Sequence, residues 1–140
     1  MRKGFSLLTA IVFLVLVATI STLALLLSTQ SAKQTTDIFL KTQAELLVKS
    51  GTEYALLAMS GHDYSTSCLN SINSTYNGIY DINISIMYIG DNLPAGCTQL
   101  GSNISTSDSN RTVIIDTVVS TKDTVTSEHI RLHKRTIQKP

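Results

Sequence analysis

Near the start of this chain, residues 5–27 read FSLLTAIVFLVLVATISTLALLL. The segment carries no charged side chain, and its polar residues are all serines and threonines. A helix of this length, rising about 1.5 Å per residue, extends about 35 Å and can cross the hydrocarbon core of a bilayer. The hydroxyls can donate to carbonyls one turn earlier, so a helix carries them through lipid at low cost. The sequence therefore predicts one transmembrane helix over residues 5–27.

The charges that flank this segment predict its orientation. Arg2 and Lys3 precede it, whereas the charges that follow, from Lys33 to Glu53, alternate in sign. Because basic residues stay on the cytoplasmic side, we expect the N-terminus in the cytoplasm and the C-terminal region across the membrane. A secretory signal cleaved after residues 30–32 is the alternative, but the apolar run is longer than the roughly 7–15 residues of such signals.

The composition excludes several classes of protein. The 140 residues allow one compact domain. Charged residues make up 15% of the chain and hydrophobic residues 43%, and this charged fraction is low for a soluble protein. A net charge of +1 provides no overall field to bind a polyanion, so we predict no nucleic-acid partner. The chain has no nucleophile elbow, phosphate loop or paired-carboxylate arrangement, so we predict a protein that is not an enzyme and has no cofactor.

The histidines do not predict a metal site. His129 and His133 are four residues apart and would share one face of a helix, but the local pattern has the period of a strand. On a strand they would lie about 13 Å apart, which favours exposed histidines over metal ligands. His62-Asp63 falls at a helix end, where a capping or solvent role is favoured over a catalytic dyad.

Beyond the apolar segment the pattern remains helical to about residue 59. Small and apolar residues recur at steps of four and three, and Lys41, Glu45, Lys49 and Glu53 mark a wet face on the opposite side. No proline interrupts residues 5–59, so we expect one continuous helix with an apolar first half and an amphipathic second half. The expected packed stripe consists of Leu40, Ala44, Leu47, Gly51, Tyr54 and Ala58.

The C-terminal part alternates with a period of two. We expect strands over about residues 79–89, 111–121 and 128–137, with a hairpin turn at Lys122-Asp123 and loops over residues 60–78 and 90–101. A three-stranded antiparallel sheet can bury one face only against the helix stripe. The predicted fold class is therefore α+β, with a long N-terminal helix packed on a small three-stranded sheet.

Cys68 and Cys97 lie in the loops on either side of the first expected strand. An isolated pair without further metal ligands, in a domain outside the cytoplasm, favours a disulfide that closes a loop of about 30 residues. Two free thiols are the alternative if the compartment lacks a disulfide-forming system. No Cys-x-x-Cys motif indicates a redox pair.

The C-terminal tail is basic. Arg131, Lys134, Arg135 and Lys139 occur there with His129 and His133. Such residues on the last strand discourage sheet-to-sheet aggregation, and we favour this role. Contact with an acidic partner or a polyanion is the alternative.

The N-terminus resembles that of type IV prepilins and type II secretion pseudopilins. The residues that carry the resemblance are Met1-Arg2-Lys3-Gly4 followed by Phe5-Ser6-Leu7-Leu8, a long apolar helix and its amphipathic continuation, over residues 1–58. The resemblance implies cleavage by a prepilin peptidase between Gly4 and Phe5 and N-methylation of Phe5. It also implies a structural subunit that passes from the inner membrane, through an assembly platform, into a filament of similar subunits.

Thr9 departs from the family pattern. The family usually has a glutamate at the fifth residue of the mature chain, where it pairs with the N-terminal amine of a neighbour and sets the axial register. Because Thr9 occupies this position, the resemblance favours a minor pilin or minor pseudopilin that initiates or caps assembly over a major subunit.

These expectations define four segments and a location. Residues 1–4 form a leader, 5–27 the transmembrane and assembly helix, 28–59 its amphipathic continuation, and 60–140 a globular sheet domain. The expected location is the bacterial inner membrane, in contact with lipid, with the globular domain in the periplasm, and then the pilus or pseudopilus. A single-pass membrane protein whose outer domain binds a ligand or partner is the alternative.

Overall fold

The computed structural model describes residues 3–91, 93–101, 112–124 and 129–139, with the side chains of the helix described from Leu7 onward. The chain divides into two units, Met1–Phe39 and Leu40–Pro140. One helix, α1 (Lys3–Ser60), runs through both units. The expected unbroken helix over residues 5–59 is therefore confirmed.

In the described residues, a sheet of five strands follows the helix. The strands are β1 (Ser71–Tyr76), β2 (Tyr80–Ile89), β3 (Gln99–Gly101), β4 (Thr112–Thr121) and β5 (Arg131–Gln138). The central pair, β2 and β4, is antiparallel, and the strand order is β1-β2-β4-β5, with β3 pairing in parallel with the far end of β2. The α+β class is confirmed, but the expected count of three strands is wrong.

The two strands that the sequence pattern missed are both weakly marked. Strand β1 is exposed except at the half-buried Ile72, so it lacks the apolar alternation of a strand that packs on a core. It is joined to β2 through Asn77 and Gly78, whose φ values of 50° and 69° fit the Asn-Gly sequence favoured in tight hairpin turns. Strand β3 has three residues, and the amide of Tyr88 donates to the carbonyl of Thr98 at 2.8 Å where it begins.

Helix α1 packs on the sheet through a stripe that advances mostly in steps of four residues. The expected stripe is wrong at Tyr54, which is 56% exposed, and Leu47 and Ala58 are only half-buried. Residues at alternating steps of four and three, as expected, form a row nearly parallel to the helix axis. Residues at successive steps of four, as observed, form a ridge inclined to that axis. The buried positions are Leu40, Ala44, Val48, Gly51, Thr52, Ala55 and Met59.

The core lies between this stripe and one face of the sheet. Leu40, Ala44, Val48, Tyr80 and Val119 form one buried cluster. A second cluster lies nearer the helix end and contains Ala55, Met59, Ile84, Ile86, Tyr88, Val113 and Ile115. A polar contact belongs to the same helix–sheet interface, because the hydroxyls of Thr52 and Thr117 are 3.2 Å apart and both residues are buried.

Candidate functional site

The first candidate site is the apolar part of α1. Its large side chains are all exposed, and Phe13 and Leu14 are each 69% exposed. An apolar surface of this extent is unfavourable in water and is compatible with a membrane-spanning helix. By length and composition, this helix is the one in the described residues that could span a membrane, although a signal sequence would meet the same criteria.

Three hydroxyls within this segment bond to the helix itself. Thr19 donates to the carbonyl of Leu16, Ser21 to that of Val17 and Thr22 to that of Thr19, each at 2.8 Å. These three bonds follow the expected pattern, in which a hydroxyl donates to a carbonyl about one turn earlier.

The residues implied by the prepilin resemblance lie in the first turns of α1. Gly4 and Phe5 are helical, and Thr9 follows one turn later with an exposed side chain. Positions 5 and 9 are four residues apart and therefore share one face of the helix. Cleavage after Gly4, methylation of Phe5 and a register role for Thr9 remain predictions.

A disulfide joins Cys68 and Cys97, whose Cα atoms are 5.0 Å apart, as the sequence predicted. Asn70 ties the same two segments together a second time. Its amide nitrogen donates to the carbonyl of Gly96 at 2.7 Å, and its side-chain oxygen accepts from the amide of Thr98 at 2.9 Å. The covalent bond and the asparagine thus close one loop at the end of β2.

Aromatic side chains fasten the segment after the helix to this closed loop. Tyr64 makes edge-to-face contacts with His62 and Tyr88, with ring centroids 4.9 and 6.2 Å apart. The Tyr88 hydroxyl donates to the carbonyl of Leu69 at 2.8 Å. Burial raises the pKa of Tyr88, and the neighbouring Tyr64 adds to this increase. These contacts describe a packed, protonated tyrosine.

His62 and Asp63 each make a hydrogen bond to the segment that follows α1. The Oδ1 atom of Asp63 accepts from the amide of Ser65 at 3.0 Å, and this bond lowers the pKa of the carboxyl. The Nε2 atom of His62 lies 3.0 Å from the carbonyl oxygen of Ser67. Both side chains therefore bond to the segment that follows the helix, and neither of these bonds caps α1 itself.

The sheet face turned away from the core carries a cluster that the sequence analysis missed. Asp116 is 8% exposed, and Arg135 donates from Nε to both of its carboxylate oxygens, at 2.9 and 3.0 Å, and from Nη2 to Oδ2. His133 Nε2 lies 2.7 Å from Oδ1 and donates to it. The hydrogen bonds from Arg135 lower the pKa of Asp116, burial opposes that change and His133 reinforces it. The sequence signal that could have revealed this cluster is an aspartate within the Val/Ile-rich strand β4.

The histidines of the C-terminal region bind carboxylates. His133 lies on β5 beside Asp116, and His129 Nδ1 is 3.0 Å from Asp123 Oδ1. Within the described ranges, no group of three histidine, cysteine, aspartate or glutamate side chains could hold a metal ion. The contacts of Asp116 with Arg135 and His133 therefore join the neighbouring strands β4 and β5.

Comparisons with protein-family models, curated proteins and solved structures gave no match to this chain.

Proposed function

We propose that this protein is a minor pilin or pseudopilin, a structural subunit that initiates, caps or joins a type IV pilus or a type II secretion pseudopilus. The observation that carries the proposal is the exposed apolar surface over residues 7–27 on a helix that continues unbroken to Ser60. The basic residues and the Gly4-Phe5 junction ahead of this surface support the same assignment.

One apolar helix can serve two environments. In the membrane its side chains contact lipid, and in a filament they contact the same segment of neighbouring subunits. The transfer between these environments keeps the apolar surface away from water at each stage. A protein built in this way acts as an anchor and an assembly unit, and we propose no catalytic role for it.

The proposed pathway begins in the inner membrane. A prepilin peptidase removes residues 1–4, the new amine of Phe5 is methylated, and an assembly platform extracts the subunit. The residues from Leu40 onward, which form a compact unit with their own core, remain on the periplasmic side. The neighbouring subunits bind through the N-terminal helix.

The presence of Thr9 supports a position at the end of a filament. A threonine carries no charge and cannot neutralise a neighbour's N-terminal amine as a glutamate does. A subunit that begins the filament has no earlier neighbour, and it does not need that acid. A Thr9→Glu variant, compared with the wild-type protein, tests this role. Finding the wild-type protein in many copies along the shaft would contradict it.

The primary test is the intact mass and N-terminal peptide of the protein recovered from membranes, in strains with and without the prepilin peptidase. We expect loss of residues 1–4 and a gain of one methyl group on Phe5, both dependent on the peptidase. Gly4→Leu is expected to block processing, whereas Ala10→Leu, a matched enlargement inside the helix, is expected to leave it intact.

Two other outcomes would overturn the proposal. An N-terminus that still begins at Met1 in the strain that has the peptidase would favour a single-pass anchored binding module. Cleavage near Ala32 would make the protein a secreted domain.

A further inference from the structure

Strand β5 is an edge of the sheet. It pairs with β4 on one side, and no strand in the described part of the chain pairs with its other side. The amide of Thr121 donates to the carbonyl of Ile130, and the register continues with Ser120 opposite Arg131. Because peptide groups alternate in direction along an antiparallel pair, those of Arg131, His133, Arg135 and Ile137 point to the open edge.

This edge is basic on both faces. Residues 129–139 contain no acidic side chain. Arg131, His133 and Arg135 share the face of Asp116, and Lys134, opposite the buried Thr117, lies on the helix side. Arg135 and His133 are engaged by Asp116, whereas Arg131 and Lys134 have no side-chain partner among the described residues. The edge therefore keeps positive charge that its own carboxylate does not neutralise.

A cleft runs along the helix side of the same edge. It has a volume of about 260 Å³ and lies between α1 and β5. Its lining includes the apolar residues Val48 and Leu132, together with Glu45, Lys49, His133 and Lys134. A strand added to the edge would direct alternate side chains to this side of the sheet, where an apolar one can fill the cleft.

We propose that the outer edge of β5 binds an extended acidic segment of another protein by strand addition. The outward peptide groups provide main-chain hydrogen bonds, as in other cases where a peptide extends a sheet. Acidic side chains of the segment face Arg131, His133 and Arg135, and an apolar side chain of the alternate set enters the cleft at Val48 and Leu132. This inference concerns the sheet alone and does not depend on processing of the helix.

The charges also select against a second copy of the same edge. Two β5 strands side by side would bring like charges together, which is how basic edge residues prevent self-pairing. The opposite edge strand, β1, has no charged residue and offers no complement to the basic row. An extended acidic segment complements both the outward main-chain groups of β5 and the positive charges of its side chains.

The test uses the full chain in detergent micelles and fluorescently labelled peptides of eight residues that alternate glutamate and valine. Matched probes alternate lysine and valine, or carry the same glutamates and valines in two blocks. By fluorescence anisotropy, we expect the alternating acidic peptide to bind at least about tenfold more tightly than either matched probe, and less tightly as salt rises. Equal binding of the three peptides would overturn the proposal.

Charge reversal provides the second arm. The variant Arg131→Glu, on the face that meets the acidic side chains, is expected to weaken binding by about tenfold or more. The matched control Lys41→Glu makes the same change in net charge at an exposed helix position and is expected to bind as the wild type does. An equal loss in the two variants would show that only net charge matters and would refute a specific edge site.

Amide hydrogen exchange identifies the mode of binding, whether or not the variants fold. We expect the acidic peptide to slow exchange at Arg131, His133 and Arg135 and to leave Ser71 and Asn73 on β1 unchanged. Two further peptides carry N-methyl groups on every second amide, one on the odd-numbered and the other on the even-numbered residues. We expect one of them to bind and the other to fail, because only one set of amides faces β5. Binding without slowed exchange, or equally tight binding of an oligothymidylate of the same charge, would identify a polyanion patch and reject strand addition.

Discussion

Arg135 on β5 donates from Nε to both carboxylate oxygens of Asp116 on β4, at 2.9 and 3.0 Å. This pair joins the edge strand to the centre of the sheet. It also makes stability depend on pH, because Arg135 lowers the pKa of Asp116 in the folded chain. Its contribution is complete above the unfolded pKa of about 3.9 and is lost as the pH falls through the lower folded value.

We expect Arg135→Gln to lower stability at pH 6 and to reduce the loss of stability below about pH 4 that comes from Asp116. The measurement is urea unfolding of the full chain in non-ionic detergent, followed by the near-ultraviolet circular dichroism of the tyrosines. Lys134→Gln is the control, since its side chain has no partner in the described ranges. An unchanged acid dependence in Arg135→Gln would contradict the assignment.

The second prediction concerns Gly51, where the helix approaches the sheet. A Cβ atom at this position would lie 3.2 Å from Cγ2 of Thr117 and 3.6 Å from Cγ2 of Ile82. Alanine favours a helix by about 0.8–1 kcal/mol over glycine, and this contact opposes the gain. We expect Gly51→Ala to stabilise the Thr117→Ser variant, which lacks Cγ2 but keeps the hydroxyl, by about 0.5–1 kcal/mol more than it stabilises the wild type.

A double-mutant cycle in urea measures this coupling. Ser50→Ala, on the exposed side of the same helical turn, is the control and is expected to have the same effect with either residue at position 117. Additive effects of Gly51→Ala and Thr117→Ser would show that the close approach carries no cost.

The third prediction concerns the loop closed by Cys68–Cys97 and Asn70. Replacing both cysteines with serine is expected to cost about 3.5 kcal/mol, the loop entropy for a separation of 29 residues. Asn70→Ala is expected to cost about 1–2 kcal/mol, because it removes both bridging hydrogen bonds.

The two changes should not be additive, since both release the same closure. We expect Asn70→Ala to be more damaging in the absence of the disulfide than in its presence. Denaturant unfolding of the four proteins measures this difference. Asn73→Ala, at an exposed position of β1, is the control, and an equal cost of Asn70→Ala in both backgrounds would argue against a shared role.

The fourth prediction concerns membrane insertion. Leu16 lies near the middle of the apolar segment, and a lysine there is expected to cost about 2.5–3.5 kcal/mol of insertion free energy. Leu46→Lys, at a 60% exposed position on the same helix beyond the segment, is the control. Alkaline extraction of membranes is expected to release Leu16→Lys and to retain Leu46→Lys, and equal retention would place the span elsewhere.

The long helix and β2 could be predicted because each has a strong periodic signal over many residues. Strand β1 could not be predicted from its own pattern, since Ser71, Asn73 and Thr75 face away from the core and β1 contains a single half-buried apolar residue. The Asn77-Gly78 turn was the signal that would have revealed it. Strand β3 is held beside the end of β2, where the Tyr88 amide donates to the Thr98 carbonyl and the Gln99 side chain donates to the carbonyl of Gly90, the residue after β2. Neither Thr98 nor Gln99 is marked in the local sequence.

The amino-acid order alone determined which segments are apolar, where the helix runs and which two cysteines were available for a disulfide, because these properties depend on near neighbours and on residue type. Only the folded arrangement decided that Asp116 lies beside Arg135 and His133, that Tyr54 is exposed while Val48 is buried, and that β5 is an edge. The reason is that strand register and the inclination of helix to sheet bring together residues that are far apart in the chain, and local periodicity carries no information about such pairs.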